Sequence, residues 1–291
     1  MAGRRGCLLL LVLLLAAPVA AKPLQLSAFH RQSAYNQRLL GFWTVIPTLA
    51  AGLTWYSPFQ KDHGTFVNGP TWVSSSTSSW GGAISLTSGS SQYIDFGTNP
   101  IFDGSDAVFT VRIEVEKVVD TGTTSYLVAK RDATGGIDGG WFVRVATATG
   151  IVTARLTDGA SGNVIQRDTV ALNLYDGLKH SIVVVFTTNT SSNVANDLEI
   201  YVDGLVDDTN ATRGSNPYAA CPTCELRVGT EHSLGNYATL HVNTLAIYQG
   251  ALSTAMIRAM AACGGASCYD VFQTPPNNGA ITVVPRKVKN E

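Results

Sequence analysis

Carboxylates at alternate positions are the first place to look for chemistry in this chain. In IEVEKVVD, Glu114 and Glu116 are two residues apart, and side chains at that spacing leave the same face of a strand. A retaining glycosidase places its nucleophile and its acid/base about 5 Å apart, so this pair is the candidate for glycan hydrolysis. The simpler reading makes both glutamates solvated positions on an outer strand. His180 shares a parity with Leu178, Ile182, Val184 and Phe186, which predicts a hydrogen-bonded histidine in or beside the core. His63 and His232 stand in loops without metal-binding partners near in sequence. Neither a Gly-x-Ser-x-Gly elbow nor a zincin or phosphate-loop motif is present. The glycines from Gly135 to Gly140 lead into the strand-like Trp141–Val145, whereas a phosphate loop leads into a helix.

Cysteine chemistry depends on the compartment. Arg4 and Arg5 precede the apolar run Cys7–Leu15, and small residues follow up to Ala21. This is the pattern of a cleaved export signal over residues 1–21 and is too short to span a bilayer comfortably. Secretion, or export to a periplasm or cell surface, is therefore expected, with no stable membrane span after cleavage. Cleavage leaves Cys221, Cys224, Cys263 and Cys268, an even number in an oxidising compartment. Three pairings are open, and two local bridges are the simplest. The sharper alternative is a tetrathiolate zinc site, against which stand the oxidising compartment and the wide second spacing.

The elements that would position these groups are mostly strands. Leu178 to Phe186 and Leu198 to Val202 alternate with a period of two, and Asp203-Gly204 supplies the positive φ of a tight hairpin. Ser253 is an N-cap for a helix of about ten residues that packs through Met256, Ile257 and Met260. With 28 Gly, 14% charged residues and a net charge of −1 in 291 residues, the composition suits a neutral all-β domain and offers nucleic acid no electrostatic footprint. No Pro-rich or Gly/Ser-rich linker divides the middle. The expected organisation is a signal over 1–21, an arm over 22–38, one domain over 39–262 and a tail over 263–291.

Several segments in order resemble the laminin G-like, or concanavalin A-like, superfamily, in its pentraxin-like branch. They are HGTFVNGPTWV (His63–Val73), GAISLTSGSSQYIDFG (Gly82–Gly97), FTVRIEVE (Phe109–Glu116), the block from Gly177 to Gly204 with its Tyr201-Val202-Asp203-Gly204, and Leu226 to Ser253. The resemblance implies a two-sheet antiparallel jelly-roll sandwich with one short C-terminal helix. It also implies the enzymatic alternative, since glucanases of this superfamily carry Glu, Asp and Glu at alternate positions of one strand. Here Val118 stands where the third acid would fall.

From the same resemblance comes a candidate calcium site. Gly229-Thr230-Glu231-His232-Ser233-Leu234-Gly235 is similar to a pentraxin loop in which Glu231 keeps the glutamate, but His232 and Ser233 replace its aspartate. Asn243 stands where relatives carry Asp, and Asp138 is a further candidate oxygen ligand. The leading functional expectation is a secreted, non-enzymatic binding or adhesion module for carbohydrate or a cell-surface protein. Trp55, Tyr56, Trp80, Tyr218 and Tyr237 are the loop aromatics expected to hold sugar rings. A polysaccharide hydrolase or lyase and a structural envelope or virion component are the alternatives.

Overall fold

Short runs of β-branched and aromatic residues separated by Gly, Asn, Asp and Ser set the pattern of this chain. The computed structural model describes residues 39–45, 55–56, 64–74, 82–104, 108–132, 139–159, 165–188, 197–208, 212–213 and 217–262. The signal (1–21), the arm (22–38), the tail (263–291), Trp80, Asp138, Cys263 and Cys268 lie outside the described residues.

In chain order the strands are β1 (Leu39–Val45), β2 (Trp55–Tyr56), β3 (Thr65–Val67), β4 (Thr71–Ser74), β5 (Gly82–Leu86) and β6 (Tyr93–Asp95). There follow β7 (Val108–Val119), β8 (Ser125–Asp132), β9 (Gly139–Val145), β10 (Val152–Leu156), β11 (Ile165–Asp168) and β12 (Lys179–Thr187). The last are β13 (Asp197–Val202), β14 (Leu205–Val206), β15 (Thr212–Arg213), β16 (Arg227–Val228) and β17 (Thr239–Gln249), before the helix α1 (Thr254–Ala262). Among the described residues they form two antiparallel sheets. Sheet A runs β14-β13-β12-β7-β17-β1-β2, with β5 pairing β17 and β4 pairing β5, and sheet B runs β15-β11-β10-β9-β8-β16-β6-β3. Among the described residues the fold is an all-β sandwich with one short α-helix, as the sequence leads one to expect.

Alternation decides which side of each strand enters the core. Phe109, Val111, Ile113 and Val115 of β7 face inward with Ile182, Val184 and Phe186 of β12, against Trp141, Val143 and Val145 of β9. Phe109 stacks on Phe186 at 4.8 Å, and Trp141 of the opposite sheet tilts against both at 5.5 and 5.6 Å. Three rings from three strands thus join the sheets, each pair adding about 1 kcal/mol beyond its buried area. Leu178 falls outside this pattern: it precedes β12 and is exposed.

The other parity of β12 is apolar for a separate reason. Val183, Val185, Tyr201, Ala246 and Tyr248 on the outer face of sheet A are covered by Leu252, Ile257 and Met260. The helix that supplies the cover starts where Ser253 Oγ accepts from the Met256 N–H at 3.3 Å, satisfying one of the orphan donors of the first turn. The hairpin from β13 to β14 turns through Asp203 and Gly204 at φ 50° and 84°, as a two-residue turn with both angles positive demands.

Candidate functional site

The outer face of sheet B is built by a four-strand meander. On β8, β9 and β10, the residues that alternate with the core are Tyr126, Ala129 and Arg131, then Phe142 and Arg144, then Thr153 and Arg155. Register sets Ala129 and Arg155 on either side of Phe142, and sets Tyr126 and Thr153 on either side of Arg144. Gln166 and Asp168 of β11 continue the two rows opposite Arg155 and Thr153.

Three guanidinium groups converge on one ring. Their Cζ atoms lie 4.7 Å (Arg131), 5.1 Å (Arg144) and 5.9 Å (Arg155) from the Phe142 centroid, within the range of cation–π attraction. Tyr126 meets the same ring edge-on at 5.3 Å. The ring is fully buried beneath this cover. Arg131 donates to the Tyr126 hydroxyl and, at 3.4 Å, to Glu231 Oε2. Burial holds the Tyr126 phenol protonated, pushing it up to about 12. Arg144 Nε is buried without a hydrogen-bond partner among the described residues. Asp168 accepts from Thr153 Oγ1 at 2.6 Å and from Gln166 Nε2 at 3.3 Å.

Across β16 and β6 the surface continues with a second cation over a ring. Arg227 Cζ is 5.1 Å from the Tyr93 centroid, and Tyr237 packs against Tyr93 at 6.2 Å. Arg227 pairs with Asp95 at 3.0 Å and with Glu225 at 3.5 Å, and its Nη1 donates to the carbonyls of Glu231 and His232. Burial alone would raise the Glu225 carboxyl, but contact with His232, with help from Arg227, takes it below its ordinary range. One face therefore carries four arginines, four aromatic rings and the carboxylates paired with Arg131 and Arg227. Such a face can offer planar hydrogen-bond donors to oxygen acceptors.

The Glu114 and Glu116 pair lies on the opposite side of the molecule, and it is neither solvated nor on an outer strand. β7 is central in sheet A, between β12 and β17, and both glutamates are buried. Glu114 pairs with Arg112 and, at 3.5 Å, with Lys179; His241 Nδ1 lies 3.5 Å from Glu116 Oε1. Burial would raise the Glu114 carboxyl, yet Arg112 and Lys179 outweigh it and hold the group below its usual value. Desolvation, with Lys117 nearby, depresses the His241 imidazole against the pull of Glu116. A carboxylate held ionised suits a nucleophile or an electrostatic partner and not a proton donor.

His180 is buried at the end of β12, hydrogen-bonded at 2.8 Å to Asp203 and at 3.1 Å to Asp176. Asp203 does more than turn the hairpin: its second oxygen accepts from the Ser181 N–H at 2.8 Å. Both contacts fix the hairpin to the strand.

The other residues singled out in the sequence are dispersed. Tyr218 is not a loop platform; it is 2% exposed, inside the core, and donates to the Asp103 carbonyl at 2.5 Å. A single polar residue between apolar neighbours gave no sign of that hydroxyl's buried acceptor. Tyr237 is half-buried and joins Glu231 at the edge of the sheet B face, whereas Trp55 and Tyr56 form β2, beside β1 at the edge of sheet A. Glu231 is committed to Arg131, and Asn243 is buried in β17 with its amide on the Gly82 carbonyl at 3.5 Å. Among the described residues no group of three or more His, Cys, Asp or Glu is arranged to hold a metal. Cys221 and Cys224 are joined in a disulfide, which consumes two of the thiolates a tetrathiolate zinc site requires. No described helix is long and apolar enough to cross a membrane. The residues that sequence reasoning missed are Arg131, Arg144, Arg155, Arg227 and Phe142. For the first three the signal was one outward arginine on each of β8, β9 and β10.

No protein-family model matches this chain, and no curated protein matches it. Solved structures share its fold. The binding domain of a Paraclostridial mosquitocidal protein superposes with a TM-score of 0.56 at 15% identity, over 77% of this chain and 52% of that one. Trypanosoma rangeli sialidase, solved with the inhibitor DANA, gives 0.53 at 16% identity, over 78% of this chain and 33% of that one. Domain 4 of the Geobacillus stearothermophilus arabinanase AbnA, solved with arabinotriose, gives 0.51 at 13% identity, over 77% of this chain and 98% of that domain. This chain thus spans about half of that binding domain and a third of the sialidase chain.

Proposed function

We propose that the chain is an exported, non-enzymatic carbohydrate-binding module of the laminin G-like type, and that it binds through the outer face of sheet B. The observation that carries this reading is the convergence of Arg131, Arg144 and Arg155 on Phe142 beside Tyr126, continued by Arg227, Tyr93 and Tyr237. Support comes also from the likeness to a domain solved with a bound oligosaccharide. Arginine supplies the planar donors from which saccharide hydroxyls and acidic groups accept, and Tyr237, half-buried at the edge of the face, is the ring left partly open. Calcium, which the laminin G-like resemblance implies, enters as a variable of the test.

Hydrolysis is the second reading, favoured by Glu114 and Glu116 lying on one face of β7. The test is a glycan array read with and without chelator, beside a reducing-sugar release assay on mixed polysaccharides. Binding without sugar release is the expected result, and loss of array signal with chelator would add calcium to the site. Sugar release that disappears in Glu116→Gln would replace the binding-only reading with the hydrolytic one.

A further inference from the structure

Phe142 is the ring on which three arginines of the outer face of sheet B converge, yet it offers no surface for a sugar to stack on. It is completely buried, because the guanidinium groups of Arg131, Arg144 and Arg155 lie over it. What the face presents at this point is cationic and planar. Arg131 has a carboxylate partner, Glu231, at 3.4 Å. Arg144 sits between Tyr126 and Thr153 in the cross-strand rows, and neither brings it a charge: the Tyr126 phenol stays protonated and Thr153 is turned to Asp168. Its Nε is a buried donor without a protein acceptor among the described residues. Nε itself is closed to solvent, so a ligand meets this charge through the rest of the half-buried side chain, and an anionic oxygen is the acceptor that a guanidinium binds most strongly. The planar fork of arginine matches carboxylate and sulfate oxygens in two parallel hydrogen bonds.

We infer that the saccharide bound by this face carries an anionic group, a carboxylate or a sulfate, and that Arg144, with Arg155 beside it on the same ring, receives that group. The inference rests on the glycan-binding reading above and narrows it. A neutral sugar finds no stacking platform at Phe142 and offers the Arg144 guanidinium only uncharged hydroxyl acceptors. An acidic sugar meets its charge and is drawn by the neighbouring guanidinium groups.

The full chain is tested by titration with oligogalacturonate and its fully methyl-esterified form, and with dextran sulfate and dextran, with duplex DNA as a polyanion lacking a recognisable sugar chain. Tight binding to the galacturonate or to the sulfated dextran, with weak binding to the matching neutral polymer and to DNA, is the expected result, and the preferred polymer tells carboxylate from sulfate. Arg144→Gln should weaken that binding on the order of tenfold or more, as loss of a charged hydrogen bond does, with Arg155→Gln as the second variant. If Arg144→Gln does not fold, salt titration of the unaltered chain carries the test, since acidic-sugar binding must weaken steeply as salt rises. Equal affinity for charged and neutral polymers, DNA bound as tightly as either acidic polymer, or binding indifferent to salt overturns the inference while leaving the glycan-binding reading standing. Failure of every saccharide to bind, here and on the glycan array, removes both.

Discussion

Lys130 Nζ lies 3.0 Å from Asp103 Oδ1 inside the sandwich. The lysine is fully buried and also donates to the Cys224 carbonyl at 2.5 Å. One ammonium thus ties β8 to the segment before β7 and to the disulfide loop. Desolvation depresses the Lys130 amine, and Asp103 partly restores it. Removing one member of a buried pair leaves the other uncompensated, so Lys130→Met should cost about 3 to 5 kcal/mol. In urea unfolding, the double variant Lys130→Met/Asp103→Leu should be less destabilised than the single one. Equal losses would mean that the pair is not what the lysine contributes.

The His180 and Asp203 contact makes stability depend on pH in a defined direction. Hydrogen bonding to Asp203 is the main reason the imidazole is raised, assisted by Asp176 and opposed by burial. Its contribution is fully present below the unfolded histidine value of about 6.5 and is lost as pH rises through the folded value. Burial would raise Asp203, but His180 and the Ser181 N–H hold it low. Its share is present above the unfolded value of about 3.9 and is lost as pH falls through the folded one. His180→Gln should therefore lower Tm most between these limits, by an amount corresponding to about 1 kcal/mol, kept small because Asp203 is half exposed. A penalty that grows steadily above neutral pH would contradict this.

Gly140 is the second residue of β9, the strand that carries Phe142 and Arg144. Its φ is 101°, and a Cβ there would lie 2.0 Å from the Lys130 carbonyl oxygen. Gly140→Ala should destabilise by at least ~2 kcal/mol, from strain and displaced backbone together. Chemical denaturation reads this directly, and a neutral result would show that β8 and β9 do not pair in this register.

Glu114 gives a stability prediction in place of a catalytic one. Glu114→Gln should remove the charge partner of Arg112 and Lys179 and lower stability by about 3 kcal/mol at neutral pH. Because the carboxyl is depressed in the fold, the difference between variant and parent should shrink as pH falls through its folded value. A constant difference down to that pH would show that its ionisation contributes nothing.

Much of the architecture was legible because strands advertise themselves by period. Residues 180–186 and 198–202 alternate as paired strands do, although Leu178 falls outside the strand; Asp203-Gly204 marks its own hairpin, and Ser253 marks its helix. The candidate site was less so. Glu114 and Glu116 read as wet positions because a single strand shows only its own alternation, whereas Arg112, Lys179 and His241 reach them across the sheet. Tyr218 looked like a loop aromatic because its acceptor, the Asp103 carbonyl, is distant in sequence. The arginines of sheet B were hidden for the same reason: residues 131, 144 and 155 become one cluster only when the meander stacks them over Phe142.

The central claim is that carbohydrate is bound on the outer face of sheet B. It is tested most directly by probing one glycan array with the parent chain, with Arg131→Ala/Arg144→Ala, and with Leu205→Ser on the exposed β14 edge of sheet A. Glycan should bind to the parent and to Leu205→Ser, and binding should be lost in the folded double variant. Undiminished binding by the double variant, or none by the parent, would contradict it.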